Sequence, residues 1–151
     1  MRDILKMPLN KKIRKTEIEH KLVEIDNYLD QIQETLPKNE ESFIESGIKK
    51  HGIYKLIELA IENIIKICSM INSDLKLGVP SDEENIIINL VKKNILTKEL
   101  AEKIKNMKGF RNILVHRYGE ISDELAFEVI NSDIEDFERF KKEISDFLDK
   151  K

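Results

Sequence analysis

Four side chains that could take part in chemistry lie within eight consecutive residues: Arg111, Asn112, His116 and Tyr118. They follow a segment whose apolar residues recur with the spacing of one face of an α-helix. Arg111 falls on that apolar face, where an unpaired charge is costly to bury. Asn112 and His116 are four residues apart and therefore share one side of the helix. The arginine is a permanent cation and the histidine can exchange a proton near neutral pH, while Gly119 is expected to end the helix.

The charge of the chain is unevenly distributed. The whole sequence has a formal net charge of −3, which argues against a general nucleic-acid coat. Residues 98–118 nevertheless contain six Lys or Arg against two Glu, whereas residues 119–151 contain eleven Asp or Glu against five Lys or Arg. The basic segment is either a phosphate-facing patch beside an acidic scaffold or an ordinary solvated surface.

Length and composition predict one helical domain. The chain has 151 residues, of which 36% are charged and 40% are apolar, with five glycines and three prolines. This profile favours packed helices over a turn-rich β fold or a disordered chain. The single cysteine, Cys68, excludes an internal disulfide, and residues 1–15 contain no segment apolar enough for a secretory signal. We therefore expect a cytoplasmic protein.

The apolar periodicity predicts an all-α fold, an antiparallel bundle of about five helices. This single domain is expected to occupy residues 16–151, after a basic lead-in at residues 1–15. Residues with N-cap side chains predict where the helical elements start: Thr16, Ser81, Thr97, Ser122 and Ser132. We expect only a short turn after Ser122 and the last helix after Ser132.

The segment from Ile53 to Ile71 is the most apolar part of the chain. Its polar residues form one narrow line that includes Glu62, and the four charges in that line exclude a membrane span. A helix this apolar either lies at the centre of its own chain's core or is buried on a second side by another chain. Both alternatives stay open. His51, near the predicted start of this helix, is expected to be structural or exposed.

The motif Arg111-x4-His116-x-Tyr118, with Asn112 after the arginine and Gly-Phe before it, resembles that of the HEPN superfamily. More narrowly, it resembles the HepT-like toxins, and the resemblance extends over residues 16–148. It implies a homodimeric, metal-independent ribonuclease whose two motifs face a shared cleft. It also implies a partner, a minimal nucleotidyltransferase antitoxin that silences the toxin by adenylylating the tyrosine.

The resemblance assigns a role in RNA cleavage to the residues of the motif. His116 is expected to transfer a proton, and Arg111 to hold the phosphate with its planar, permanently charged guanidinium. Asn112 is expected to orient the imidazole and Glu62 to contact Arg111. The resemblance also implies modification for Tyr118. RNA binding is expected for Lys105, Lys108 and Arg117, because they belong to the basic segment 98–118. No metal or other cofactor is expected, because the three histidines are far apart and no Cys/His ligand spacing occurs.

Each role has an alternative. Arg111 could turn to solvent or pair with Glu62 inside the bundle, and His116 could simply favour the C-terminal end of the helix dipole. Tyr118 could be a core residue with a solvated hydroxyl. The corresponding alternative functions are a non-catalytic helical partner or substrate-binding subunit of a nucleotidyltransferase, and a dimeric scaffold with a degenerate site.

Overall fold

The computed structural model describes residues 13–150, and this part of the chain contains helices and no strands. Six α-helices follow one another: α1 (Lys15–Thr35), α2 (Glu40–Ile44), α3 (Ile48–Asp74), α4 (Glu83–Lys92), α5 (Lys98–His116) and α6 (Asp123–Asp149). A 3-10 turn, Tyr118–Glu120, connects α5 and α6. The predicted all-α fold is confirmed. Most of the predicted lead-in lies outside the described residues.

Helix α3 is the centre of the core. It packs against α1, α4 and α5. Its buried apolar residues are Ile53, Tyr54, Ile57, Ala60, Ile61, Ile64, Ile65, Ile67, Cys68 and Ile71. Because these residues are buried by helices of the same chain, packing within one chain accounts for the apolar character of α3. Full burial of one aliphatic side chain contributes about 1.5–3 kcal/mol to stability. No helix within residues 13–150 has the length and hydropathy needed to cross a membrane.

Helix α1 begins without the predicted capping box. Thr16 lies inside its first turn, and the N-cap position belongs to Arg14, whose side chain caps nothing. Asp74, at the end of α3, instead accepts hydrogen bonds from the backbone N–H of Arg14 at 3.0 Å and from its Nε at 2.9 Å. A local pattern cannot reveal this contact, because 60 residues separate the two partners.

The other predicted caps agree with the structure except at Ser81 and Ser132. The hydroxyls of Thr97 and Ser122 each accept a hydrogen bond from the backbone N–H three residues later, as predicted. Helix α4 begins after Asp82 rather than Ser81, since the Asp82 carboxylate accepts from the Asn85 N–H at 2.8 Å. Serine and aspartate are comparable N-caps, so two adjacent candidates left the start uncertain by one residue.

Helix α6 is one continuous helix of 27 residues, and the predicted break before Ser132 is wrong. Ser132 lies in its interior and faces solvent. The buried face continues across this position through Ala126, Ile130, Phe137 and Phe140. No glycine or proline interrupts the segment, so the helix continues through Ser132, a residue type that can also act as the N-cap of a new helix.

Candidate active site

Helix α5 carries the motif and is fixed in place by its buried face. Its buried residues are Leu100, Ile104, Met107 and Leu114. Arg111 follows on the same face, and its side chain is only 12% exposed. The helix ends at His116, before the predicted stop at Gly119, which lies in the 3-10 turn without a left-handed backbone conformation. The histidine of the motif is therefore the last residue of the helix.

The Arg111 guanidinium is paired with two carboxylates and one amide. Nη2 lies 2.6 Å from Glu83 Oε1, Nη1 lies 4.0 Å from Glu62 Oε1, and Nε donates to Asn112 Oδ1 at 3.0 Å. The predicted contact with Glu62 is present but is the longer of the two ion pairs. Glu83 was not predicted from the sequence, because an acidic residue in the first turn of a helix already has a local explanation in its interaction with the helix dipole. The two carboxylates offset the cost of burying the cation.

Asn112 and His116 share one side of α5, but the expected hydrogen bond between them is not formed. Asn112 Oδ1 accepts from Arg111 Nε instead, because a charged donor next to it in sequence makes the stronger bond. His116 is exposed, and within residues 13–150 it forms no hydrogen bond or ion pair. Its imidazole is therefore open to a ligand rather than held by another of the described residues.

Tyr118 lies in the 3-10 turn directly after the motif helix and is 41% exposed. Its ring packs edge-on against Tyr54, with the ring centroids 5.9 Å apart. Its hydroxyl contacts Nδ1 of His51. Partial burial raises the pKa of the phenol, Lys50 lowers it, nearby carboxylates raise it, and the net shift is upward. The hydroxyl therefore keeps its proton at neutral pH.

His51 belongs to a polar cluster beside Tyr118 that was not predicted from the sequence. Lys50 Nζ lies 2.8 Å from Asp123 Oδ2, and the Tyr54 hydroxyl donates to Asp123 Oδ1 at 2.6 Å. Burial by itself would raise the pKa of Asp123, but the hydrogen bonds from Lys50 and Tyr54 outweigh this effect and lower it. His51 is exposed, as expected, yet its contact with Tyr118 joins residues 67 positions apart.

Of the residues assigned to RNA binding, Lys105 and Lys108 lie on α5 and Arg117 directly follows its C-terminal end. Lys105 pairs with Glu84 at 3.7 Å, and with Lys108 it lines a groove of about 440 Å³ between α4 and α5. Arg117 is exposed, and in the described part of the chain neither it nor Lys108 forms an ion pair. No group of three or more His, Cys, Asp or Glu side chains among residues 13–150 could hold a metal ion.

A helical bundle with this motif at the end of one helix has the features of a HEPN-type protein. Residues 25–144, which are most of the chain, match the family model described as "Ribonuclease HepT-like". The chain belongs to the HepT-like ribonuclease family, as its resemblance to that family predicted.

Two curated relatives are named as nucleases of this family. The mRNA nuclease HepT of Shewanella oneidensis is 33% identical over 84 residues, which are 56% of this chain and 63% of that protein. The tRNA nuclease HepT of Aphanizomenon flos-aquae is 30% identical over 131 residues, which are 87% of this chain and 89% of that protein. The match to the Shewanella protein thus spans less than two thirds of that relative's length.

A solved structure extends the similarity to the whole fold. The tri-AMPylated HEPN toxin of Shewanella oneidensis, in complex with its MNT antitoxin, superposes with a TM-score of 0.78 at 27% identity. The superposition covers 85% of this chain and 96% of that one. The bundle described above is therefore the fold of a HEPN toxin.

Proposed function

We propose that this chain is the ribonuclease toxin of a toxin–antitoxin pair, which cleaves RNA by 2′-hydroxyl attack without a metal ion. Its family and the two relatives named as HepT nucleases support the ribonuclease activity. The related toxin in complex with an MNT antitoxin supports pairing with a nucleotidyltransferase. The observation that carries the proposal is made on one helix: Arg111 is held by ion pairs, and five residues later, at the end of α5, His116 is exposed and no described residue engages it.

The two side chains divide the reaction into charge stabilisation and proton transfer. His116 accepts the proton of the 2′-hydroxyl as that oxygen attacks the adjacent phosphorus. Arg111 binds the non-bridging phosphate oxygens, where negative charge increases in the transition state. The bond from phosphorus to the 5′-oxygen breaks, and this oxygen takes a proton from an acid. The products are a 2′,3′-cyclic phosphate and a 5′-hydroxyl.

RNA has to displace Glu83 from Arg111 before this chemistry can begin. The Glu83 side chain is 41% exposed, so its carboxylate can rotate into water when a phosphate arrives. A phosphate can bind the guanidinium through two parallel hydrogen bonds, whereas Glu83 contacts only Nη2. Lys105 and Lys108 on α5, and Arg117 directly after it, would attract the RNA backbone to this helix.

The proposed assembly is a homodimer, because one His116 cannot be base and acid in the same step. A second copy would supply the second histidine to a shared cleft. The apolar residues of α3 are buried within their own chain and therefore do not require a second chain. The proposal of a dimer rests on the need for two histidines, and we expect an interface of more than about 1,000 Å² in total. Sedimentation equilibrium at micromolar concentration should give twice the chain mass, and a single species of 17.7 kDa would contradict the dimer.

Metal independence can be tested directly by digesting RNA in the presence of EDTA. The purified chain should cleave equally well with and without the chelator, because in the proposed dimer the histidines transfer the protons and Arg111 supplies the positive charge. The relatives are named for mRNA and tRNA, so both substrates belong in the assay. The new ends should be 2′,3′-cyclic phosphates. Activity that disappears in EDTA and returns with magnesium would exclude this mechanism.

We further propose that the antitoxin silences the toxin by adenylylating Tyr118, whose phenol is partly exposed beside the motif. Added phosphate would place negative charge near Arg111 and compete with RNA for it. After incubation with the cognate transferase and ATP, intact-mass analysis should show adenylyl groups on wild-type chain and on the matched Tyr28→Phe control. The Tyr118→Phe chain should stay unmodified. Equal modification of that variant would contradict the assignment of Tyr118 as the adenylylated residue.

One observation favours an alternative, the non-catalytic partner of a nucleotidyltransferase. The contact with Glu83 neutralises the charge of Arg111 in the free chain. If RNA cannot displace Glu83, Arg111 stabilises the fold and does not bind phosphate. In that case Tyr118 would still be modified, but purified chain freed of adenylyl groups would cleave neither RNA. Cleavage by that same preparation would exclude the alternative.

A further inference from the structure

We propose that His51 is the general base that activates the Tyr118 hydroxyl for adenylylation. This inference rests on the proposed modification of Tyr118 and adds a catalytic residue that the toxin chain itself supplies. The transferase would then contribute the nucleotide and its binding site, and the acceptor chain would contribute the proton acceptor.

The geometry places His51 at the reacting atom. Its Nδ1 contacts the Tyr118 hydroxyl, and the two rings lie 5.6 Å apart between centroids. With the imidazole proton on Nε2, Nδ1 is free to accept the phenolic hydrogen. His51 is exposed, so a proton taken up by the ring can pass to water. Tyr54 packs edge-on against Tyr118 and limits the movement of the phenol away from the imidazole.

The phenol needs such a base. Burial and nearby carboxylates keep Tyr118 protonated at neutral pH, although Lys50 acts in the opposite direction. A neutral phenol is a much weaker nucleophile than a phenolate, so removal of its proton during attack lowers the barrier. Among the groups beside Tyr118 on α3 and α6, His51 is the one in hydrogen-bond contact with its hydroxyl.

Asp123 is placed to stabilise the imidazolium that forms. The hydrogen bonds from Lys50 and Tyr54 keep this carboxylate ionised, and His51 interacts with it electrostatically. The charged and titratable groups around the pair are thus Lys50, Tyr54 and Glu58 on α3 and Asp123 on α6. A negative charge near a histidine that gains a proton stabilises the imidazolium, which is one role of the carboxylate in a catalytic triad. Asp123 and His51 are not hydrogen-bonded, so Asp123 does not have the other role, which is to orient the ring.

The proposed step is balanced with ATP as the second substrate. The Tyr118 oxygen attacks the α-phosphorus and forms a phosphodiester bond to the adenosine monophosphate group. The bond between the α-phosphorus and the bridging oxygen breaks, and pyrophosphate leaves. The phenolic proton moves to His51 Nδ1 and then to water.

The test is the single-turnover rate of Tyr118 modification with saturating transferase and ATP, followed by intact-mass analysis. His51→Asn keeps a side-chain oxygen near the position of Nδ1 but cannot act as a base. His20→Asn, an exposed histidine on α1, is the matched control. We expect His51→Asn to lower the maximal rate by about 10²-fold or more, with His20→Asn unchanged. Far-UV circular dichroism establishes that both variants are folded.

The outcomes separate this inference from the proposed function. If wild-type chain is modified on Tyr118 and His51→Asn is modified at the same maximal rate, His51 is not the base, and the modification itself stands. If His51→Asn changes only the transferase concentration for half-maximal rate, the residue belongs to the docking surface and the base role is wrong. If wild-type chain is not modified at all, the proposed modification of Tyr118 fails, and this inference fails with it.

Discussion

His116→Ala should lower the rate of RNA cleavage by about 10² to 10⁴-fold, which is the usual contribution of a positioned general acid or base. The rate should fall because proton transfer is lost and not because the chain unfolds, since the exposed imidazole has no hydrogen-bond partner among the described residues. Single-turnover cleavage of labelled RNA in EDTA measures the rate, and thermal melting followed by circular dichroism measures the stability.

His20→Ala is the matched control, since His20 is also exposed and lies on α1, outside the motif. It should cleave at the wild-type rate and melt at the wild-type temperature. If His116→Ala cleaves RNA as fast as the wild-type chain, the assignment of the proton transfer to His116 has to be abandoned.

Arg111→Lys tests the other half of the same site. It keeps a positive charge opposite Glu83 and Glu62, so the fold should be retained. An ammonium group cannot make the bidentate contact with phosphate, and loss of a preorganised charge contact costs on the order of 10² to 10³ in rate. Arg139→Lys, which changes an arginine paired with Glu99 at 2.8 Å, is the control. Wild-type cleavage by Arg111→Lys would show that the guanidinium geometry is not required.

Asp133→Asn should increase the free energy of unfolding by up to about 4 kcal/mol at pH 8. The Asp133 side chain is buried in α6, and its Oδ2 has no hydrogen-bond partner among the described residues. Burial, and then the neighbouring Asp136, raise its pKa to about 7, while Lys103 lowers it. The folded state therefore holds this proton more tightly than the unfolded state does. The stability that the protonated group provides is present at acidic pH and is lost as the pH rises through 7.

Urea denaturation at pH 4, 6 and 8 measures this effect. The difference between Asp133→Asn and wild type should be small at pH 4, where the carboxyl group is largely protonated in the folded state, and should increase with pH. Glu128→Gln, an exposed change on the same helix, should show no such trend. A pH-independent difference for Asp133→Asn would mean that the buried carboxyl group does not titrate as proposed.

The sequence by itself determined the helices and the positions of the motif residues along one of them. The apolar spacing in α1 and α5 is a local property, so it identified the buried faces and placed Arg111 on the inner side of α5. The motif, read together with the order of helices, was also sufficient to indicate the family. Where two local interpretations had similar energies, as at Ser132 in α6, the sequence did not distinguish a cap from a helix interior.

The tertiary structure decided which side chains meet across helices. Glu83 pairs with Arg111 across 28 residues, and His51 contacts Tyr118 across 67. These contacts depend on the relative rotation and crossing of α3, α4 and α5, and many packing arrangements are compatible with the same apolar faces. A periodic pattern specifies the side of a helix that is buried, but it does not specify the partner that a polar side chain at the edge of that face will find.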